Sequence, residues 1–287
     1  MKTQFAHNLL NSFYLWFERE LLSDKSKAYK TNQSNTFKYV DFPDIPDSHL
    51  GYQGQFRQLV ADHCVDQPNS GIFIDGSFVS GDSSDIYIDY NGGRVIVPAA
   101  SGTGLNITAN NTIKEVNTYV SSDDEEQLLV ASDFVDASDL TETYLFSKDS
   151  KLDEKTYILP ACFIRLINNE NEDFTFGGQD ESITRIRVTI LATDNYLLDG
   201  IVGLFSDTNE RCITHVPFEN SPFGHFYSIK DYPYCYEDHV SSLSGKTYVK
   251  EVKSSKTKNS FNSEKVEKNI YIGFLDFDLS TYRYPRV

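Results

Sequence analysis

The sequence predicts a mainly β protein with a few helices, its strands forming antiparallel, hairpin-rich, sandwich-like sheets. Three observations predict this class. Tyr and Phe are abundant, 18 and 20 of 287 residues, and both favour pleated, half-buried surfaces. The 16 Gly and nine Pro are spread along the chain, as many short strands joined by turns require. Several runs alternate apolar and polar residues with a period of two.

The first element is the exception to that class. Phe5, Leu9, Phe13, Trp16, Phe17 and Leu21 recur at steps of three and four, which predicts an amphipathic helix over 5–22. Leu10, Tyr14 and Leu15 widen its apolar face, so the helix needs cover on two sides. Phe13, Trp16 and Phe17 are therefore candidates for contact with a neighbouring subunit. Residues 23–50 are polar and end in a Pro-containing run, Asp41 to Asp47, which reads as a connection or extended arm.

From Gly71 to Pro98 the sequence reads as consecutive hairpins, with Asp75-Gly76 and Asn91-Gly92-Gly93 as the turns. Further strands are expected near 105–109, 113–120, 126–135 and 155–167. The acidic run Asp123 to Glu126 reads as a solvated loop between two of them. Ile186, Val188 and Ile190 alternate with Arg185, Arg187 and Thr189 in a firm strand. Asp194 then caps a central helix near 194–207. In the last strand Ile270, Ile272 and Phe274 alternate against Tyr271, Leu275 and Phe277. Residues 246–268 are poor in apolar side chains and read as a long hairpin tip or mobile loop. The chain divides into 1–50, helix and connection; 51–140, hairpin-rich; and 141–287, a second β region with one helix and the Lys-rich loop.

A net charge of −16 disfavours direct contact with DNA, because phosphate affinity needs Lys and Arg, and keeps copies apart in solution. No apolar run approaches the roughly 18 residues that a membrane span needs. Glu18, Arg19 and Glu20 interrupt the apolar N-terminal stretch, which argues against a signal peptide. Cys64, Cys162, Cys212 and Cys235 are few and widely spaced, so free thiols are expected.

The sequence contains no nucleophile elbow, phosphate-binding loop, dinucleotide fingerprint or His-Glu-x-x-His, so no catalytic residue and no cofactor are assigned. Cys212, His215, Cys235 and His239 have ligand-like spacing, but an aromatic, Pro-rich segment surrounds them, and no metal is expected. Asp276 and Asp278 share one face of the last strand, as alternation with one wet side predicts. Arg185 and Arg187 project together from their strand, either to pair with carboxylates of a neighbouring subunit or to decorate a solvent face. The segment 246–268 holds seven lysines against three glutamates, a net +4 that leaves −20 on the remainder. Lys250, Lys253, Lys256 and Lys258 are thus candidates for meeting an acidic neighbour. Phe223, Phe226, Tyr232, Tyr234 and Tyr236 read as a small core under a long loop, or else as a sugar platform.

The run from Phe5 to Phe17, FAHNLLNSFYLWF, resembles the opening of virion structural proteins of contractile-tailed marine phages, the cyanophage-like myoviruses. Later pieces fall in that family's order: Gly71 to Val79, Ile88 to Val95, Val116 to Val120, Gln127 to Leu129, Phe176 to Asp180, Arg187 to Leu191 and Leu198 to Ile201. The Lys-rich stretch and the Cys/His segment depart from it. The resemblance implies a non-enzymatic particle component of the neck (head-to-tail connector) or tail, made in the host cytoplasm and built into the virion. Its expected partners are copies of itself in a ring and other neck or tail proteins, with no membrane. A capsid decoration or fibre-type module that binds a host surface glycan is the alternative.

Overall fold

The computed structural model describes residues 5–65, 71–81, 83, 86–136, 156–173, 178–257, 261–262 and 269–284. Helix α1 (Phe5–Leu22) leads into β1 (Tyr29–Val40), β2 (His49–Gln53), β3 (Gly71–Ile74), β4 (Ser77–Ser80) and β5 (Tyr87–Asp89). Strands β6 (Arg94–Pro98), β7 (Ile107–Lys114) and β8 (Asn117–Val120) follow. Helix α2 (Glu125–Ala131) precedes β9 (Asp133–Asp136), β10 (Thr156–Leu159), β11 (Ala161–Asp173) and β12 (Asp180–Ala192). The last elements are α3 (Asn195–Ser206), β13 (Cys212–Thr214), α4 (Tyr236–Ser241), β14 (Lys246–Lys256), β15 (Phe261–Asn262) and β16 (Asn269–Arg283).

The strands form two large sheets. The first has the order β4-β3-β7-β1-β2-β6-β5, with every described pairing antiparallel. The second has the order β13-β14-β16-β12-β11-β8, with β15 added beside β16, and only β11 with β8 runs parallel. Strands β9 and β10 make a small parallel pair. The chain is mainly β with few helices, as the alternation predicts.

The main core is continuous across both sheets. It holds Phe37, Tyr52, Val95 and Ile107 from the first sheet, and Ile186, Val188, Ile190, Leu275 and Phe277 from the second. Helices α1 and α3 contribute Leu9, Phe13, Trp16 and Phe17, and Leu198, Ile201 and Phe205. A second cluster covers the opposite face of the second sheet with Leu128, Phe134, Phe163, Leu191, Ile270 and Ile272. Strand β16 thus serves two cores from alternate residues, and the division predicted between Ile270/Ile272/Phe274 and Tyr271/Leu275/Phe277 is the division between them.

Four expectations are corrected. Residues 29–40 and 49–53 are strands of the first sheet and not a free connection. Residues 125–131 form a helix, because Asp124 and Gln127 make a reciprocal capping box: Gln127 N donates to Asp124 Oδ1 at 2.8 Å and Asp124 N to Gln127 Oε1 at 3.0 Å. The acidic run is thus the helix cap and first turn. Residues 246–256 are a strand clamped between β13 and β16, not a loop. Cys64 and Cys235 are joined in a disulfide across 171 residues, leaving Cys162, buried, and Cys212, exposed, as thiols.

Candidate functional site

The β3–β4 hairpin carries a pair of exposed aromatic rings at the edge of the first sheet. Asp75 and Gly76 both adopt positive φ, +49° and +82°, so the two-residue turn sets Ile74 opposite Ser77 and Phe73 opposite Phe78. The rings of Phe73 and Phe78 meet edge to face at 5.4 Å and remain 40% and 53% exposed. Asn106 N donates to Asp75 Oδ1 at 3.0 Å, which ties the turn to the segment before β7. Strand β4 lies at the end of the sheet, with no strand outside it among the described residues. An aromatic pair beside unpaired backbone groups is a template for another strand.

The outer face of the second sheet carries charge, and the chain satisfies it internally. Register places Arg187 opposite Asp276 and Arg185 opposite Asp278. Arg187 makes a two-pronged contact with Asp276, Nε to Oδ1 at 2.6 Å and Nη2 to Oδ2 at 3.0 Å, and its Nη1 reaches Glu125 at 2.8 Å. Those hydrogen bonds hold the Arg187 guanidinium above its ordinary pKa. Burial pushes Glu125 up, but the Arg187 hydrogen bond, the backbone N–H of Glu125 and the nearby positive charge of Arg187 and Arg165 together hold the carboxyl below the usual range. Arg185 lies 3.3 Å from Asp278 and 3.8 Å from Glu170. The arginines and aspartates that looked like separate motifs are therefore cross-strand partners.

The other predicted interface residues among those described have in-chain partners as well. Phe13, Trp16 and Phe17, offered above to a neighbouring subunit, are sealed inside this chain's core, with Trp16 at 4% exposure. Lys250 pairs with Glu181 at 3.2 Å, Lys253 with Glu251 at 2.8 Å, and Lys256 with Asp199. Lys258 lies outside the described residues. Most of this lysine run serves the strand that carries it.

The cysteine and histidine segment does not gather as its spacing suggests. Cys235 is bonded to Cys64, His239 Nε2 contacts Asn220 O at 2.8 Å, and His215 packs against Phe5 at 5.7 Å. Burial lowers the His215 pKa. Among the described residues, three metal-capable side chains come together only at Asp62, Cys64 and Cys235. The loop aromatics do not make a core of their own: Tyr234 and Tyr236 are buried in the main core with Phe223 packed against that core, while Phe226 packs on Tyr87 and His49, and Tyr232 on His63.

A groove of about 870 Å³ opens between the first sheet and α3, lined by residues such as Lys30, Arg57, Asn117, Tyr196 and Leu204. Two of its lysines are paired: Lys30 with Glu115 at 3.0 Å, and Lys114 with Glu18, which also accepts from Thr118.

Two features escaped the sequence reading. The opposition of Phe73 and Phe78 was available from the Asp75-Gly76 turn, since a two-residue hairpin pairs the residues two places out on each side. The Cys64–Cys235 pairing had no local signal, because it depends on how the two sheets bring distant loops together. Neither a scan against protein-family models nor a search of curated proteins found a match to this chain.

Proposed function

We propose that this chain is a non-enzymatic structural subunit of a contractile-tailed phage particle, a neck or tail component that joins copies of itself into a ring. The observation that carries the reading is the exposed Phe73–Phe78 pair on a hairpin at the sheet edge. The free edge offers backbone groups to a neighbouring copy and the two rings offer apolar area, a combination suited to strand-by-strand joining. Repeating one such contact around an axis closes a ring. The net charge of −16 keeps free subunits apart until that contact forms. The sequence resemblance to virion structural proteins supplies the setting, a virion assembled in the host cytoplasm beside other neck or tail proteins.

The test is the double variant Phe73→Ser/Phe78→Ser, followed by light scattering of the purified chain and by incorporation into particles. The expected result is a folded monomer that neither self-associates nor enters virions. Normal association and incorporation would remove the hairpin from the assembly contact. Turnover of a cell-wall polymer or nucleotide by the purified chain would overturn the non-enzymatic reading.

A further inference from the structure

We propose that Asp62, Cys64 and Cys235 form a redox-gated cation site. When the disulfide is reduced, the two thiolates and the Asp62 carboxylate bind one soft divalent ion of the zinc class. The proposal is independent of the assembly reading.

The geometry begins with proximity. A carboxylate oxygen and both sulfurs lie within 4.8 Å of one another, and the cysteine Cα atoms are 5.3 Å apart. Two sulfurs bound to one tetrahedral zinc sit about 3.7 Å apart, given Zn–S bonds of about 2.3 Å. Once the S–S bond is broken, side-chain rotation alone can open that separation.

Asp62 is held as a ligand is held. Its Oδ1 accepts from the backbone N–H of Cys64 at 2.9 Å and from that of Tyr236 at 3.4 Å. The backbone beside each cysteine therefore orients the carboxylate. Its Oδ2 is buried and accepts no hydrogen bond. The side chain is 6% exposed, and the nearest cation, Arg19 Nη1, stands at 3.8 Å while Arg19 Nη2 is committed to Glu237 at 2.6 Å. A buried carboxylate oxygen without a donor is costly, and a bound cation would remove that cost. Cys64 is exposed, which gives both reductant and ion a way in.

The chemistry balances with a dithiol as reductant. The dithiol loses its two S–H bonds and forms its own disulfide, while the Cys64–Cys235 S–S bond breaks to two thiols. Ion binding then releases the two thiol protons, and a water completes the fourth position. Thiolate ligands favour zinc-class ions over magnesium or calcium.

The test uses the full chain and cobalt(II) as the probe. Protein reduced with a water-soluble phosphine, which is oxidised to its oxide by taking oxygen from water, is desalted without air and titrated with cobalt. The expected result is a thiolate-to-cobalt charge-transfer band saturating at one ion per chain, absent from the oxidised protein. Cys64→Ser and Cys235→Ser should each lose the band, and Cys212→Ser should keep it. Asp62→Asn should weaken binding by at least about tenfold with an unchanged thiol titre. In the unaltered chain, bound zinc should shield Cys64 and Cys235 from alkylation, read by mass spectrometry, which covers the case of a variant that fails to fold. A reduced chain that gives no band and no shielding, or a Cys64→Ser band equal to the original, overturns the proposal. Equal affinity in Asp62→Asn removes the carboxylate and with it the site as stated.

Discussion

Phe13 meets Phe277 edge-on with ring centroids 4.9 Å apart, and Phe17 lies flat on Phe205 at 4.0 Å. Truncating a fully enclosed ring leaves a cavity its neighbours cannot fill. Phe13→Ala is therefore expected to cost about 3–5 kcal/mol, measured by urea unfolding. The helical spacing of these residues was legible in the sequence, but their destination was not, since periodicity gives a face without its partner. The Arg187 cluster shows the same limit: alternation put Arg185 and Arg187 on one face and Asp276 and Asp278 on another strand, and only register unites them. Pairing lowers Glu125 in the folded chain. Its stabilisation is thus complete above the unfolded value of about 4.3 and fades as pH falls through the lower folded value. Glu125→Gln should be less stable than the parent at pH 7, modestly and in a salt-sensitive way, and the two should converge in strong acid. A gap in melting temperature that persists there would mean the loss is not electrostatic.

Strands and helices were legible where their patterns were regular and hidden where burial was polar. Strand β1 passes through the interior of a sheet, yet its sequence, YKTNQSNTFKYV, looks like a linker. Asn35 explains this: it is fully buried, donates to Asn111 Oδ1 at 2.9 Å and accepts from Gln55 N at 2.9 Å. A satisfied polar pair can occupy a core position that apolar periodicity cannot reveal. Strand β14 was hidden by lysines, whose long stems and paired heads cover a sheet without adding apolar residues. Amide exchange tests it: Val249 and Val252 should be protected well beyond a loop's rate, and loop-like exchange at both would refute the strand. Because the lysine pairs are exposed, Lys250→Ala should cost no more than about 1 kcal/mol in equilibrium unfolding.

The main core runs without interruption from the first sheet through α1 to the second, so the described chain should unfold in a single transition. Two transitions in a calorimetric scan would contradict that continuity. The disulfide adds a covalent tie between parts of the fold far apart in sequence. Closing a loop across 171 residues restricts the unfolded chain by about 5 kcal/mol in the entropic account. Reduction in metal-free buffer should accordingly lower the melting temperature by several degrees, and an unchanged melt would mean the reduced ensemble is already restrained.

Helix α1 packs against segments that lie far later in the chain, after β13, in helix α4 and on β16. Ser12 Oγ accepts from Val216 N at 2.8 Å, Arg19 holds Glu237, and Phe13 rests on Phe277. On the ribosome this helix emerges well before the strand that covers it. At about 5–20 residues per second, its aromatic face waits on the order of tens of seconds for the partner that hides it. During synthesis the nascent chain is therefore a client for anything that shields apolar helices. A message cut short before β16 would release a product whose stickiest surface has no home.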